Sequence, residues 1–192
     1  MGLRLALWHP ERLPALVLQN TVAHGEGLGP LWETRGAYWA DRAANADKTK
    51  SNLLSFEAAR QCHVGTSPYP ERYDPDPWTD ESAFLKRPGQ ERIQEALFFD
   101  YRTNVTSCTA WQAYPRDREP QLLALWGKYV PSFTVEGAHA YQRNVPQPQP
   151  HMLDAGHFAL DEASAEMGEL TRQFLTAHVL DSRDEEQSGW VK

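Results

Sequence analysis

Little in this sequence announces a class at once. It has two cysteines, Cys62 and Cys108, set far apart and without metal-type spacing, so neither a disulfide framework nor a zinc site is indicated. No apolar run approaches the ~18 residues that a membrane span needs, and the first residues lack the charged, apolar and small-residue sections of a signal peptide. Basic runs are missing too. The 19 Lys and Arg are scattered and the formal charge is −7, so nothing is arranged to track a phosphate backbone. Internal repeats are absent. Nucleic acid and membrane are therefore not expected as partners, and the default expectation is a cytoplasmic protein.

What is present is a chain of 192 residues, enough for one domain, or one domain with a sizeable insertion. Seven Trp and fourteen Pro suit aromatic packing with irregular connections and exclude disorder over most of the length. Gly2 to Trp8 reads as a buried helical segment stopped by His9-Pro10, so the chain opens inside an element, a hint of truncation. Leu13 to Gln19 is a continuous apolar run and reads as a short strand buried on both faces. Asn20 to Pro30, with three glycines, is a loop at its carboxyl end.

From Leu31 to about Pro120 helix-length patterns alternate with Pro-rich connections. Helices are expected over Leu31 to Ala46 and Ser51 to Arg60. Ser67 to Pro77 is expected to be irregular, and Thr79 to cap a helix through Leu85. Over Gln90 to Val105 the residues Ile93, Leu97 and Tyr101 align at i, i+4 and i+8. Strand character returns at Gln121 to Trp126 and His151 to Ala155, with a helix over Glu136 to Arg143, ending near Pro146, between them. A last helix from Asp161 sets Ala163, Met167, Leu170 and Phe174 on one face. Alternating strands and helices argue for a parallel sheet with right-handed crossovers, and an all-helical insertion between strands suits a lid over that sheet. The tail from Asp181 is charged and expected to fray.

The organising stretch is Met152-Leu-Asp-Ala-Gly-His-Phe-Ala-Leu160. A buried strand ends in a small turn that delivers His157 where open α/β sheets keep their chemistry. An imidazole there either serves as a general base, since its pKa lies near neutrality, or only closes a loop.

Several phrases taken together resemble one family. Gly2-Leu-Arg-Leu-Ala with His9-Pro-Glu-Arg, Leu18-Gln-Asn, Arg87-Pro-Gly, Asp100-Tyr-Arg-Thr-Asn-Val, Ala110-Trp-Gln, Leu125-Trp-Gly-Lys and Leu153-Asp-Ala-Gly-His-Phe-Ala-Leu are similar, in this order, to α/β-hydrolases of the haloalkane dehalogenase and epoxide hydrolase branch. The resemblance implies an α/β fold comprising the C-terminal part of such a hydrolase, with the last three parallel strands, flanking helices and an inserted all-helical cap. Residues 1–30 would start the hydrolase core, 31–119 form the cap, 120–180 complete the core and 181–192 make a charged tail.

The resemblance implies a nucleophilic mechanism. An aspartate on the nucleophile elbow forms an alkyl ester, a histidine activates the water that hydrolyses it, and a second acid orients the histidine. His157 matches the general base. The elbow would lie just before the first helix, and no Asp or Glu precedes Glu11. The orienting acid commonly follows the Trp-Gly phrase, where this chain has Val130; after the earlier strand stand the neutral Gln19 and Asn20. Glu26 and Glu136 are the possible substitute acids, against the blander reading of solvated loop charges. Aromatic cap residues in this family stabilise the leaving group or polarise the epoxide oxygen. The pocket candidates here are Tyr38, Trp39, Trp78, Tyr101 and Trp111, each alternatively a piece of cap core. Cys108 could be imagined as a replacement nucleophile, but reads as a small buried hydrophobe.

The expected function is therefore that of a hydrolase acting on a carbon–halogen, epoxide or ester bond, truncated before the elbow and inactive as this chain. The partner of an active form would be a small organic substrate, with no cofactor or metal. Alternatives are a non-catalytic binding or interaction protein on a hydrolase scaffold, or a full-length hydrolase whose start codon has been placed too late. Substrate and oligomeric state are left open.

Overall fold

A computed structural model describes residues 2–145 and 150–180. The three apolar runs become the strands β1 (Ala15–Gln19), β2 (Gln121–Gly127) and β3 (His151–Leu153), all parallel and ordered β1-β2-β3. Ala15 lies opposite Gln121 and Gln19 opposite Leu125, while Leu125 faces His151 and Gly127 faces Leu153. β2 is paired on both edges and covered on both faces, which is why its residues from Leu122 to Gly127 are all buried. Alternation sends Leu122, Ala124 and Trp126 into one apolar cluster and Leu123 and Leu125 into the other. β1 starts two residues later than its apolar run, after Pro14, which has no N–H to give to a ladder.

The first face carries α1 (Gly2–Trp8), which buries Leu3 and Ala6. Its other side is open, with Trp8 71% exposed. Between β1 and β2 the chain is helical throughout: α2 (Leu31–Ala40), α3 (Arg42–Leu54), α4 (Phe56–Val64), α5 (Asp76–Leu85), α6 (Gln90–Asp100), α7 (Arg102–Thr106) and α8 (Cys108–Arg118). The breaks fall where side chains cap. Asp41 accepts from the Ala44 N–H at 3.0 Å and divides the expected Leu31–Ala46 helix. Ser55 accepts from the Ala58 N–H at 3.1 Å, so α3 runs to Leu54 and α4 starts afresh, in place of one helix from Ser51 to Arg60.

Thr79 does not cap α5. The helix begins at Asp76 with Pro77 in its first turn, where a missing N–H costs nothing, and the Thr79 hydroxyl donates to the Pro75 carbonyl at 2.7 Å. The expected Gln90–Val105 helix breaks at Tyr101, and Ile93 and Leu97 are exposed. α6 is instead held to α3 by charge: Lys50 meets Glu91 at 2.7 Å and Glu95 at 3.2 Å. α8 contains Pro115 and escaped the sequence reading for that reason.

After β2 come α9 (Val135–Ala140) with a 3-10 turn over Tyr141–Arg143, and after β3 come α10 (Ala159–Glu162), α11 (Ser164–Leu175) and a π turn over Thr176–Leu180. As the spacing predicts, Met167 and Phe174 are buried against the second sheet face, with Ala163 and Leu170 partly so. Pro146 and the tail 181–192 lie outside the described residues. Among the described residues no helix is long and apolar enough to cross a membrane.

Candidate functional site

The carboxyl ends of all three strands converge on one side chain, Asn20. It follows β1 with φ of 42°, a left-handed conformation that Asn adopts more readily than other side-chain-bearing residues. Its Oδ1 accepts from the Gly127 N–H at 2.8 Å, and its Nδ2 donates to the carbonyls of His157 at 2.7 Å and Gly156 at 3.3 Å. The loop carrying His157 is thereby tied to β1 and β2.

Gly156 is required by crowding, because a Cβ there would collide with the His63 carbonyl. Its N–H donates to Glu162 Oε2 at 2.7 Å. Burial pushes the Glu162 carboxyl up to about 7, Asp161 adds to the rise, and the Gly156 bond opposes it. The His157 N–H donates to the Cys62 carbonyl at 3.3 Å, so the last turn of α4 rests on this loop.

The His157 ring lies 5.5 Å from Phe133 and 5.2 Å, edge-on, from Phe158. It faces a cavity of about 410 Å³ walled by Asn20, Thr21, Tyr101 and Phe133 among others, with the exposed Asp161 also on its lining. Nδ1 is buried and makes no hydrogen bond. Burial lowers the pKa of the imidazole, and the charges of Arg35 and His63 lower it further. Each of these influences disfavours the protonated ring.

Val130, at the position where the resemblance expects the orienting acid, is buried in the same apolar cluster as Phe133. Glu26 pairs with Arg143 at 2.7 Å, and its carboxyl is held low first by its own backbone N–H and then by that arginine. Glu136 is held low by Thr134 and by its own backbone. Neither lines the cavity with His157.

Of the aromatic candidates, Tyr101 lines that cavity. Tyr38 packs on Phe98 and Phe99, and Trp39 donates to the Phe98 carbonyl at 3.0 Å. Trp111 is buried in the first cluster with an unpartnered Nε1. Trp78 sits 5.8 Å from His63, on a second cavity of about 580 Å³ that also holds Tyr73 and Glu162. Cys108 opens α8 and its thiol is pushed up by burial, as for a small apolar residue. Among the described residues no group of three or more His, Cys, Asp or Glu is placed to hold a metal.

Sequence reasoning passed over Asn20 as a clamp, and over Glu162, Phe133 and Arg35. Only Asn20 carried a signal, an Asn at the carboxyl end of a strand.

No protein-family model matches the chain. It is 36% identical over 166 residues to an uncharacterized hydrolase of Saccharomyces cerevisiae, covering 84% of this chain and 57% of that protein. Among solved structures it is similar to the 2-hydroxy-6-oxo-6-phenylhexa-2,4-dienoate hydrolase of Rhodococcus sp. strain RHA1, with a TM-score of 0.66 and 18% identity over 91% of this chain and 59% of that one. It is also similar to a putative lipase of Acinetobacter baumannii, with a TM-score of 0.67 and 16% identity over 93% of this chain and 57% of that one. The chain thus spans less than two thirds of the length of these proteins. Its fold is that of the carboxyl-terminal portion of an α/β-hydrolase, with three parallel strands, their flanking helices and a helical insertion.

Proposed function

We propose that this chain is the cap-and-histidine portion of a hydrolase acting on a small organic substrate through a carbon–halogen, epoxide or ester bond, that His157 is its general base, and that the 192 residues alone do not turn over. The observation that carries this reading is the His157 imidazole on the wall of a cavity of about 410 Å³, its main chain fixed to Asn20 and Cys62. A cavity of that size suits a small ligand. The helical segment 31–119 acts as the cap, and Tyr101 is its contact with the ligand.

Inactivity follows from the surroundings of the ring. The Thr21 hydroxyl donates to the Gln19 carbonyl at 2.9 Å, and Nδ1 has no acid to orient it. Loss of the acid that orients such a histidine costs on the order of 10⁴ in kcat in the Ser-His-Asp triad. The same unpartnered Nδ1 favours a second reading, a non-catalytic binding protein on this scaffold.

Single-turnover hydrolysis of a haloalkane, a styrene-type epoxide and a nitrophenyl ester, run beside His157→Ala, tests the reading. No turnover is expected, while the substrates perturb the NMR signals of His157. Turnover that disappears in His157→Ala would keep the histidine's role and overturn the inactivity. Unperturbed His157 signals with every substrate would overturn the site itself.

A further inference from the structure

The second cavity, of about 580 Å³, joins aromatic rings to a set of carboxylates. Trp78 and Tyr73 supply the rings, and they are held in place: Trp78 packs with Ala59 and Val64, Tyr73 rests on the same cluster, and the His63 ring lies 5.8 Å from that of Trp78. Asp74, Asp161, Glu162 and Glu166 stand on the same lining. Among the described residues none of these four acids has a basic side chain within ion-pair distance. The cationic groups nearby are engaged elsewhere. Arg72 meets Asp154 at 3.4 Å and lies 4.3 Å over the Tyr69 ring, and His63 has Glu81 at 3.2 Å. Like charges gathered without a counter-ion repel one another, as the Asp161 charge does in adding to the rise of the Glu162 carboxyl. A cation placed among them relieves that repulsion.

The Trp78 indole points to a ligand independently of charge. The N–H groups of Trp32, Trp39 and Trp126 donate to backbone carbonyls at 2.7, 3.0 and 3.0 Å. That of Trp78 meets no acceptor among the described residues, although the side chain is only 6% exposed. Unlike the Trp111 Nε1 it is not cut off from solvent, and the side that Trp78 leaves open is the one on the cavity. A buried indole donor ordinarily finds a partner, so this one is free for an oxygen brought in from outside. Among the described residues no three acids, histidines or cysteines are placed to hold a metal. Rings beside carboxylates suit a diffuse organic cation, which gains from the face of an aromatic ring.

We propose that this cavity binds a small organic cation that carries an oxygen acceptor, an amino alcohol of the choline type. Its ammonium lies against Trp78 and Tyr73 among the carboxylates of Glu162 and Glu166, and its oxygen accepts from the Trp78 N–H. The site is separate from the His157 cavity and needs no hydrolysis, although Asp161 lines both.

The test uses the full chain with isotope-labelled tryptophan, the Trp78 indole signal being the one that Trp78→Phe removes. The chain is titrated with choline chloride and with dimethylbutanol, the uncharged isostere of choline. Choline is expected to move the Trp78 signal at on the order of tenfold lower concentration than the alcohol. Glu162→Gln combined with Glu166→Gln should bring choline to the level of the alcohol while leaving the alcohol response in place, and sodium chloride at matched concentration should leave the signal where it is. Equal responses to choline and the alcohol, a preference that survives both substitutions, or a shift that sodium chloride reproduces would each overturn the assignment of a cation. If neither ligand moves the Trp78 signal, the cavity does not bind this class and the proposal falls.

Discussion

Single residues set the geometry of the histidine loop, and two of them were legible only in part. Asn20 looked like a position where an acid was missing, yet its amide satisfies one donor and two acceptors that no carboxylate could satisfy together. Asn20→Ala is expected to cost about 1–3 kcal/mol, the range for leaving a buried polar group unpaired, measured by urea denaturation. Asn20→Asp should cost at least as much, because it turns a carboxylate oxygen toward the carbonyls of Gly156 and His157. Glu162 had no signal beyond its place as an acid in a first helical turn. Its folded pKa, about 7, exceeds the ordinary value of 4.5, so between those values the folded chain binds a proton that the unfolded chain does not. Its contribution to stability therefore falls as pH rises from about 4.5 to about 7. Glu162→Gln keeps an acceptor for the Gly156 N–H and has no proton to lose. Its Tm relative to the native chain should rise between pH 5 and pH 8, and a constant difference would contradict the assignment.

Elements were read best where hydrophobic pattern and packing agree. The three strands and α11 were plain, because an apolar run or a face repeated every three to four residues meets the sheet directly. Met167 lies at the centre of that contact, 1% exposed, and Met167→Ala should cost about 2–5 kcal/mol in chemical denaturation. A loss below 1 kcal/mol would mean that α11 does not cover the second face. The helical insertion was read less well, for reasons the side chains give. Asp41 and Ser55 cap new helices inside stretches whose composition is helical throughout. Ile93 and Leu97 form an apolar stripe that turns outward, since α6 is joined to α3 by Lys50, Glu91 and Glu95. Periodicity reveals a face and is silent on whether anything covers it.

At the scale of the whole molecule, the described sheet pairs β1 on one side only. An edge of five residues beside exposed Leu160 and Leu175 is a template for association. Sedimentation velocity should show self-association that grows with concentration, and a monomer at every concentration would contradict it. The fold, and the position of His157 at the end of β3, were legible because both reside in contiguous phrases, the apolar runs and Leu153-Asp-Ala-Gly-His. The cavity was not, because Asn20, Tyr101 and Phe133 come from three separate segments that only the folded chain unites. The site stands or falls on the state of one ring. An NMR pH titration of the His157 imidazole in the native chain should give a midpoint below the ordinary 6.5, as burial beside Arg35 and without an acid requires. A midpoint at or above 6.5, with an Nδ1 proton held in a strong hydrogen bond, would show that an acid partners His157 after all.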